Sequence, residues 1–92
     1  MDVETALRQI DAANDKHVGG AGYERQREAY ESTLREVERV GGGDAVEELT
    51  AWVCEFIRGE ERRPDEDAVD DRAARRLDER GEEVPPDSHL AG

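Results

Sequence analysis

The sequence predicts an all-α protein, a small helical bundle of three core helices with a weakly docked fourth helix. In three successive stretches of the 92 residues, apolar side chains recur at spacings of three and four, which places them on one face of a helix. Glycines separate the stretches. The second and third are joined only by Gly41, Gly42 and Gly43, so we expect these two helices to form an antiparallel hairpin.

The first predicted helix covers residues 2–18. Its apolar stripe consists of Val3, Leu7 and Ile10. Asp2 is a suitable N-cap, because its carboxylate can accept a hydrogen bond from a free backbone N–H of the first turn. The glycines at positions 19, 20 and 22 end the helix. We expect this helix to pack against the hairpin.

The second predicted helix covers residues 23–40. Its stripe consists of Tyr23, Tyr30, Leu34 and Val37. Arg27 occupies the remaining position of this seam, and Val40 lies to one side of it. The three glycines that follow end the helix.

The third predicted helix covers residues 44–58 and has the clearest start, since Asp44 and Glu47 form a capping-box pattern. Its apolar face consists of Val46, Leu49, Trp52, Val53, Phe56 and Ile57. These six residues span an arc of roughly 140°, wide enough to contact two neighbouring helices. We therefore predict that this is the central helix and that Trp52, at one flank of the arc, is substantially buried.

The composition changes after Gly59, where charged runs replace large apolar residues. We divide the chain into a helical core at 1–58 and an acidic second part at 59–92. Within the second part, Pro64 and the three acidic residues after it favour a fourth helix from about residue 65 to 80, which Gly81 would end. An irregular C-terminal tail follows. With so few apolar residues, this part is predicted to be weakly docked or mobile.

The chain is strongly acidic, with 25 Asp and Glu against 13 Lys and Arg and a formal net charge of -12. Lys16 is its only lysine. This composition resembles that of proteins from archaea that accumulate salt in the cytoplasm. The resemblance implies a halophilic protein whose self-repulsion is relieved by molar salt, because the Debye length falls to roughly 3 Å at about 1 M.

Features that would place the chain outside the cytoplasm are not evident. Residues 1–4 do not resemble a signal peptide, and no apolar run approaches the roughly 20 residues that span a bilayer. The single cysteine, Cys54, cannot form an internal disulfide. We therefore expect a cytoplasmic protein without membrane contact.

No catalytic, cofactor-binding or metal-binding residues are predicted. His17, Cys54 and His89 lie too far apart to match a metal-ligand spacing. Residues 19–22 are glycine-rich but lack the Lys-Ser/Thr of a phosphate-binding loop, and a helix precedes them instead of a strand. Cys54 is interpreted as a half-buried core residue and not as a redox sensor.

The function predicted from these features is that of a non-enzymatic interaction protein, a homodimer or a small subunit of an assembly. The proposed interface is the apolar face of the third helix, whose arc is too wide for the first two stripes to cover. The competing interpretation is that the fourth helix covers this strip within one chain, through Val69, Ala73 and Leu77.

An alternative function is that of a nucleic-acid-associated regulator, which would use Arg62, Arg63 and the arginines between residues 72 and 80. The segment Ala73 to Val84 resembles the first helix and turn of a helix-turn-helix. The recognition helix would then begin near Pro86, where seven residues are too few to read a major groove. The overall acidity also opposes phosphate contacts.

Overall fold

The computed structural model describes residues 1–17 and 22–83, with side chains described for 1–16 and 22–76. It contains helices α1 (Val3–His17), α2 (Tyr23–Glu60) and α3 (Glu66–Glu83). The described ranges contain no strand, and the all-α prediction is confirmed. Four separate helices are not found, because the second and third predicted helices both lie within α2. Asp44 lies two residues after Gly42, the residue of α2 with non-helical angles, and so stands in the first turn that follows this interruption.

Helix α2 is interrupted at one residue. Gly42 has non-helical angles, φ 76° and ψ -173°. We call residues 23–41 the first arm of α2 and residues 43–60 its second arm. A straight helix rises 1.5 Å per residue and would hold residues 26 and 60 roughly 50 Å apart. Instead, the side-chain amide of Gln26 donates a hydrogen bond to the carbonyl of Pro64, 3.2 Å away, so the two arms lie side by side.

The helix ends follow local capping chemistry. The Asp2 carboxylate accepts a hydrogen bond from the Thr5 backbone N–H at 2.9 Å, which confirms the predicted N-cap of α1. The carboxylate of Asp65 accepts from the Ala68 backbone N–H at 2.9 Å in the same way at the start of α3. Helix α3 continues to Glu83, so Gly81 does not end it.

One apolar core joins all three helices. Its buried members are Val3, Ala6, Leu7, Ile10, Ala13, Tyr30, Leu34, Val37, Ala45, Val46, Leu49, Val53, Cys54, Ile57, Val69 and Ala73. Val69 and Ala73 belong to α3, so the described portion of the acidic second part contributes to the same core as residues 1–58. Among the described helices, none is both long and apolar enough to cross a membrane.

Candidate interaction surface

The six residues of the predicted interface separate into two groups in the structure. Val46, Leu49, Val53 and Ile57 are buried in the core of their own chain. Trp52 and Phe56 are partly buried, and Trp52 packs against this core. Helix α3 packs against α2 and places Val69 and Ala73 in the core beside the four buried residues. The surface still available to a partner is the flank that carries the two aromatic rings.

Trp52 and Phe56 stand one turn apart on the second arm, with ring centroids 5.6 Å apart and planes inclined at 46°. An arginine lies over each ring. The guanidinium carbon of Arg62 is 5.0 Å from the Phe56 centroid. That of Arg72, on α3, is 5.8 Å from the Trp52 centroid. These distances are within the range of cation–π attraction. We call these four residues the aromatic–arginine face.

A shallow groove borders this face. It has a volume of about 290 Å³ and is lined by Glu48, Leu49, Arg72 and Arg76. Arg76 donates two hydrogen bonds to the Glu48 carboxylate, at 2.6 and 2.9 Å, so α3 and the second arm are also linked by an ion pair. The groove beside the aromatic rings therefore contains one carboxylate and two guanidinium groups, of which Glu48 and Arg76 are paired with each other.

The arginines of this face were not predicted as its members. From the sequence, Arg62 and Arg72 are candidates for nucleic-acid contacts, and Trp52 is an interface residue that is expected to be substantially buried. In the structure Trp52 is partly buried against the core. The sequence does indicate the aromatic pair, since Trp52 and Phe56 are four residues apart at the margin of the apolar arc. The positions of the two arginines depend on how the chain turns after α2 and where α3 packs, which helical periodicity does not encode.

A second cluster, which we call the polar end, lies where α1 finishes and α2 begins. The Asp11 carboxylate accepts hydrogen bonds from the Tyr23 hydroxyl and from Arg27, whose Nε lies 2.9 Å away. Tyr30 donates its hydroxyl hydrogen to the Pro64 carbonyl, and Arg63 donates to the side-chain oxygen of Gln26. Arg27, the polar residue in the predicted seam, thus has its partner on α1.

Burial controls ionisation in the polar end. It raises the pKa of Tyr30 to about 12. It also raises the pKa of Tyr23, an effect strengthened by the hydrogen bond to Asp11. Burial opposes ionisation of Asp11 as well, but hydrogen bonds from Arg27 and Tyr23 outweigh it, so the pKa of Asp11 is lowered. The two tyrosines therefore remain neutral and Asp11 remains charged at neutral pH. The hydrogen bonds of Asp11 to Tyr23 and Arg27 therefore hold α1 against α2, and these groups do not act as an acid–base pair.

The other residues considered from sequence are not brought together. Cys54 is buried in the core, and burial raises the pKa of its thiol. The side chain of His17, residues 19–21 and His89 lie outside the described part of the chain. Within that part, no group of three or more His, Cys, Asp or Glu side chains is placed to hold a metal ion.

Comparison with known proteins gives no match to a family model, a curated protein or a solved structure. The function proposed below therefore rests on the side chains of this chain alone. The partly buried aromatic pair with its two arginines is the surface feature from which that proposal is argued.

Proposed function

We propose that this chain is a non-enzymatic interaction protein, a small acidic helical bundle that self-associates through the aromatic–arginine face. The observation that carries this proposal is the pair of partly buried rings, Trp52 and Phe56, with Arg62 and Arg72 lying over them. Trp and Arg are enriched among the residues that dominate binding energy at protein interfaces. A partner would remove the remaining ring surface from water.

Self-association would use one patch twice, because a two-fold axis brings the same surface of both copies together. The bordering groove contains Glu48 together with Arg72 and Arg76, and the Glu48–Arg76 ion pair already neutralises two of these charges within the chain. A specific interface of ordinary size buries about 800 Å² per partner, so neighbouring helical surface would have to join the two rings.

The acidity of the chain sets the conditions for this association. Two copies, each with a net charge of -12, repel one another in dilute buffer. Molar salt screens this repulsion and at the same time favours burial of apolar surface. We therefore propose that the dimer forms in a salt-rich cytoplasm and weakens when the salt is removed.

Sedimentation velocity in about 2 M KCl, where the screening length is only a few ångströms, tests the proposal. The informative variant replaces both rings, Trp52→Ser with Phe56→Ser. The matched control is Val40→Ser, because Val40 is a large apolar residue of α2 that is 54% exposed away from the face. We expect the wild type and the control to form reversible dimers at micromolar concentration, and the double variant to be monomeric with unchanged helical circular dichroism.

Two results would overturn this assignment. One is a wild-type chain that stays monomeric at all concentrations in molar salt. The other is a dimer that survives the loss of both rings, since the contact would then lie elsewhere.

Association with nucleic acid is less well supported. Arg62 and Arg72 lie over aromatic rings, and Arg76 is paired with Glu48, so these arginines already have partners within the chain. Their neighbours on α3 include acidic residues that would repel phosphates. A gel-shift assay with duplex DNA at low and high salt examines this alternative, and we expect no shift at either concentration.

A further inference from the structure

The reversal of α2 depends on the conformation of a single residue. Gly42 is the only residue of this 38-residue helix reported with non-helical backbone angles. Its φ of 76° combined with ψ of -173° lies in a region that is populated almost only by glycine. Residues on both sides of it belong to the helix. If Gly42 adopted helical angles, the two arms would join into one straight helix roughly 57 Å long.

Straightening would separate the groups that now hold the two arms together. The hydrogen bonds from Gln26 and Tyr30 to the Pro64 carbonyl both connect the first arm to the residues after the second. Tyr30, Leu34 and Val37 would lose the core formed with the second arm. The surface that these residues match is that of the second arm. A second copy of this chain has it by definition, because its own arms would be separated in the same way.

We propose that Gly42 holds the chain in its folded-back form against an arm-exchanged dimer, in which α2 runs straight and the second arm of each chain packs on the first arm of the other copy. Exchange of this kind re-forms the native contacts between chains and leaves new strain only at the hinge. Gly42 itself disfavours the straight helix by a factor of about five relative to alanine, whereas Gly41 and Gly43 are helical in both forms and do not shift the balance. The wild-type chain therefore stays folded back.

This inference does not rest on the proposed function. The aromatic–arginine face lies at the margin of the core, against which Trp52 packs, whereas arm exchange uses the fully buried residues of the core. Trp52→Ser with Phe56→Ser removes the first contact and keeps all of these buried residues, so this double variant is the background for the test, and its helical circular dichroism is compared with that of the wild type first.

Gly42→Ala in that background is the test, and Gly59→Ala is its matched control. An added Cβ has no atom within 4 Å at either position, and Gly59 has no positive φ, so the two substitutions differ in backbone conformation and not in space. Alanine at 42 both strains the folded-back form and favours the straight helix. We expect the dissociation constant of the dimer to fall at least several hundredfold for Gly42→Ala, and not to change for Gly59→Ala.

An arm-exchanged dimer is identified by how it forms as well as by its mass. Isotopically heavy and light Gly42→Ala chains should form mixed dimers only when they are unfolded and refolded together, since arms cannot exchange without opening the core. Replacing Gly42 with D-alanine by chemical ligation should keep the chain monomeric, because a D-residue prefers positive φ. A Gly42→Ala chain that stays monomeric, loses its helicity without dimerising, or mixes freely in the native state would overturn the proposal, as would a dimer formed equally by Gly59→Ala or D-alanine.

Discussion

The two ends of the paired arms are held together by different means. At the polar end, side chains from α1, α2 and the segment before α3 meet, and the Asp11–Arg27 and Tyr30–Pro64 contacts join residues far apart in sequence. At the other end, which we call the glycine end, residues 41–43 reverse the chain through the conformation of Gly42, and the Met1 amino group donates a hydrogen bond to the Gly43 carbonyl at 3.3 Å. Val40 beside them is 54% exposed.

This difference shows how each end responds to change. Substitutions at the polar end remove contacts, so their effects should scale with burial and with the number of hydrogen bonds lost. Substitutions at the glycine end remove few contacts, and they act through the angles that the backbone can adopt. Side-chain truncation should therefore destabilise one end and leave the other almost unaffected.

The largest expected effect is that of Tyr30→Ala. Tyr30 is only 1% exposed, and the substitution removes its ring from the core together with its bond to Pro64. Truncating a buried aromatic residue lowers the free energy of unfolding by about 3–5 kcal/mol. Val40→Ala at the glycine end should change it by less than about 0.5 kcal/mol. Urea titration in molar KCl measures both, and equal losses would show that the two ends are not held differently.

A smaller effect is expected for Tyr30→Phe, which keeps the ring and removes the hydroxyl. Gln26 also donates to the Pro64 carbonyl, so that oxygen keeps one partner and the loss should be about 1 kcal/mol at neutral pH. The hydroxyl should also affect stability in alkali. The pKa of Tyr30 is raised to about 12, so its stabilising effect is complete below the unfolded pKa of about 10 and is lost as pH rises from there toward 12.

Urea titrations between pH 9 and pH 12, on both sides of the ordinary tyrosine pKa of about 10, therefore distinguish the wild type from Tyr30→Phe by their unfolding midpoints. The wild type should lose more stability over this interval than Tyr30→Phe. Tyr23, whose pKa is raised by burial and by Asp11, and Cys54, whose pKa is raised by burial, contribute to the loss that remains in the variant. Parallel curves would mean that Tyr30 does not titrate with unfolding.

The sequence predicts local features of this fold better than distant contacts. The apolar stripes predict the helical segments, Asp2 predicts its own N-cap, and the glycine run predicts the interruption of α2. A pair such as Asp11 and Arg27 depends on which faces of two helices meet, and no single stripe contains that information. For the same reason, the wide arc of the second arm indicates excess apolar surface without showing that Trp52 and Phe56 are the members of it that stay only partly buried.

The smallest expected effect is that of Asp11→Asn, which tests whether charge contributes to the polar end. Asp11 and Arg27 are each about a third exposed, so solvent screens their attraction, and the substitution should lower the free energy of unfolding by about 0.5 kcal/mol at pH 7. The pKa of Asp11 is lowered in the folded chain. Its contribution is therefore present above the unfolded pKa of about 3.9 and is lost as pH falls through the lower, folded value.

The difference between the wild type and Asp11→Asn should accordingly shrink in acid, because a protonated Asp11 and an asparagine are both uncharged. Asp15→Asn, an exposed carboxylate one turn further along α1, is the matched control and should follow the wild type at every pH. Urea titrations at a fixed KCl concentration from pH 7 down to pH 2 measure all three chains. A difference that persists undiminished at the lowest pH would assign the contribution of Asp11 to the shape of its hydrogen bonds with Tyr23 and Arg27, and not to its charge.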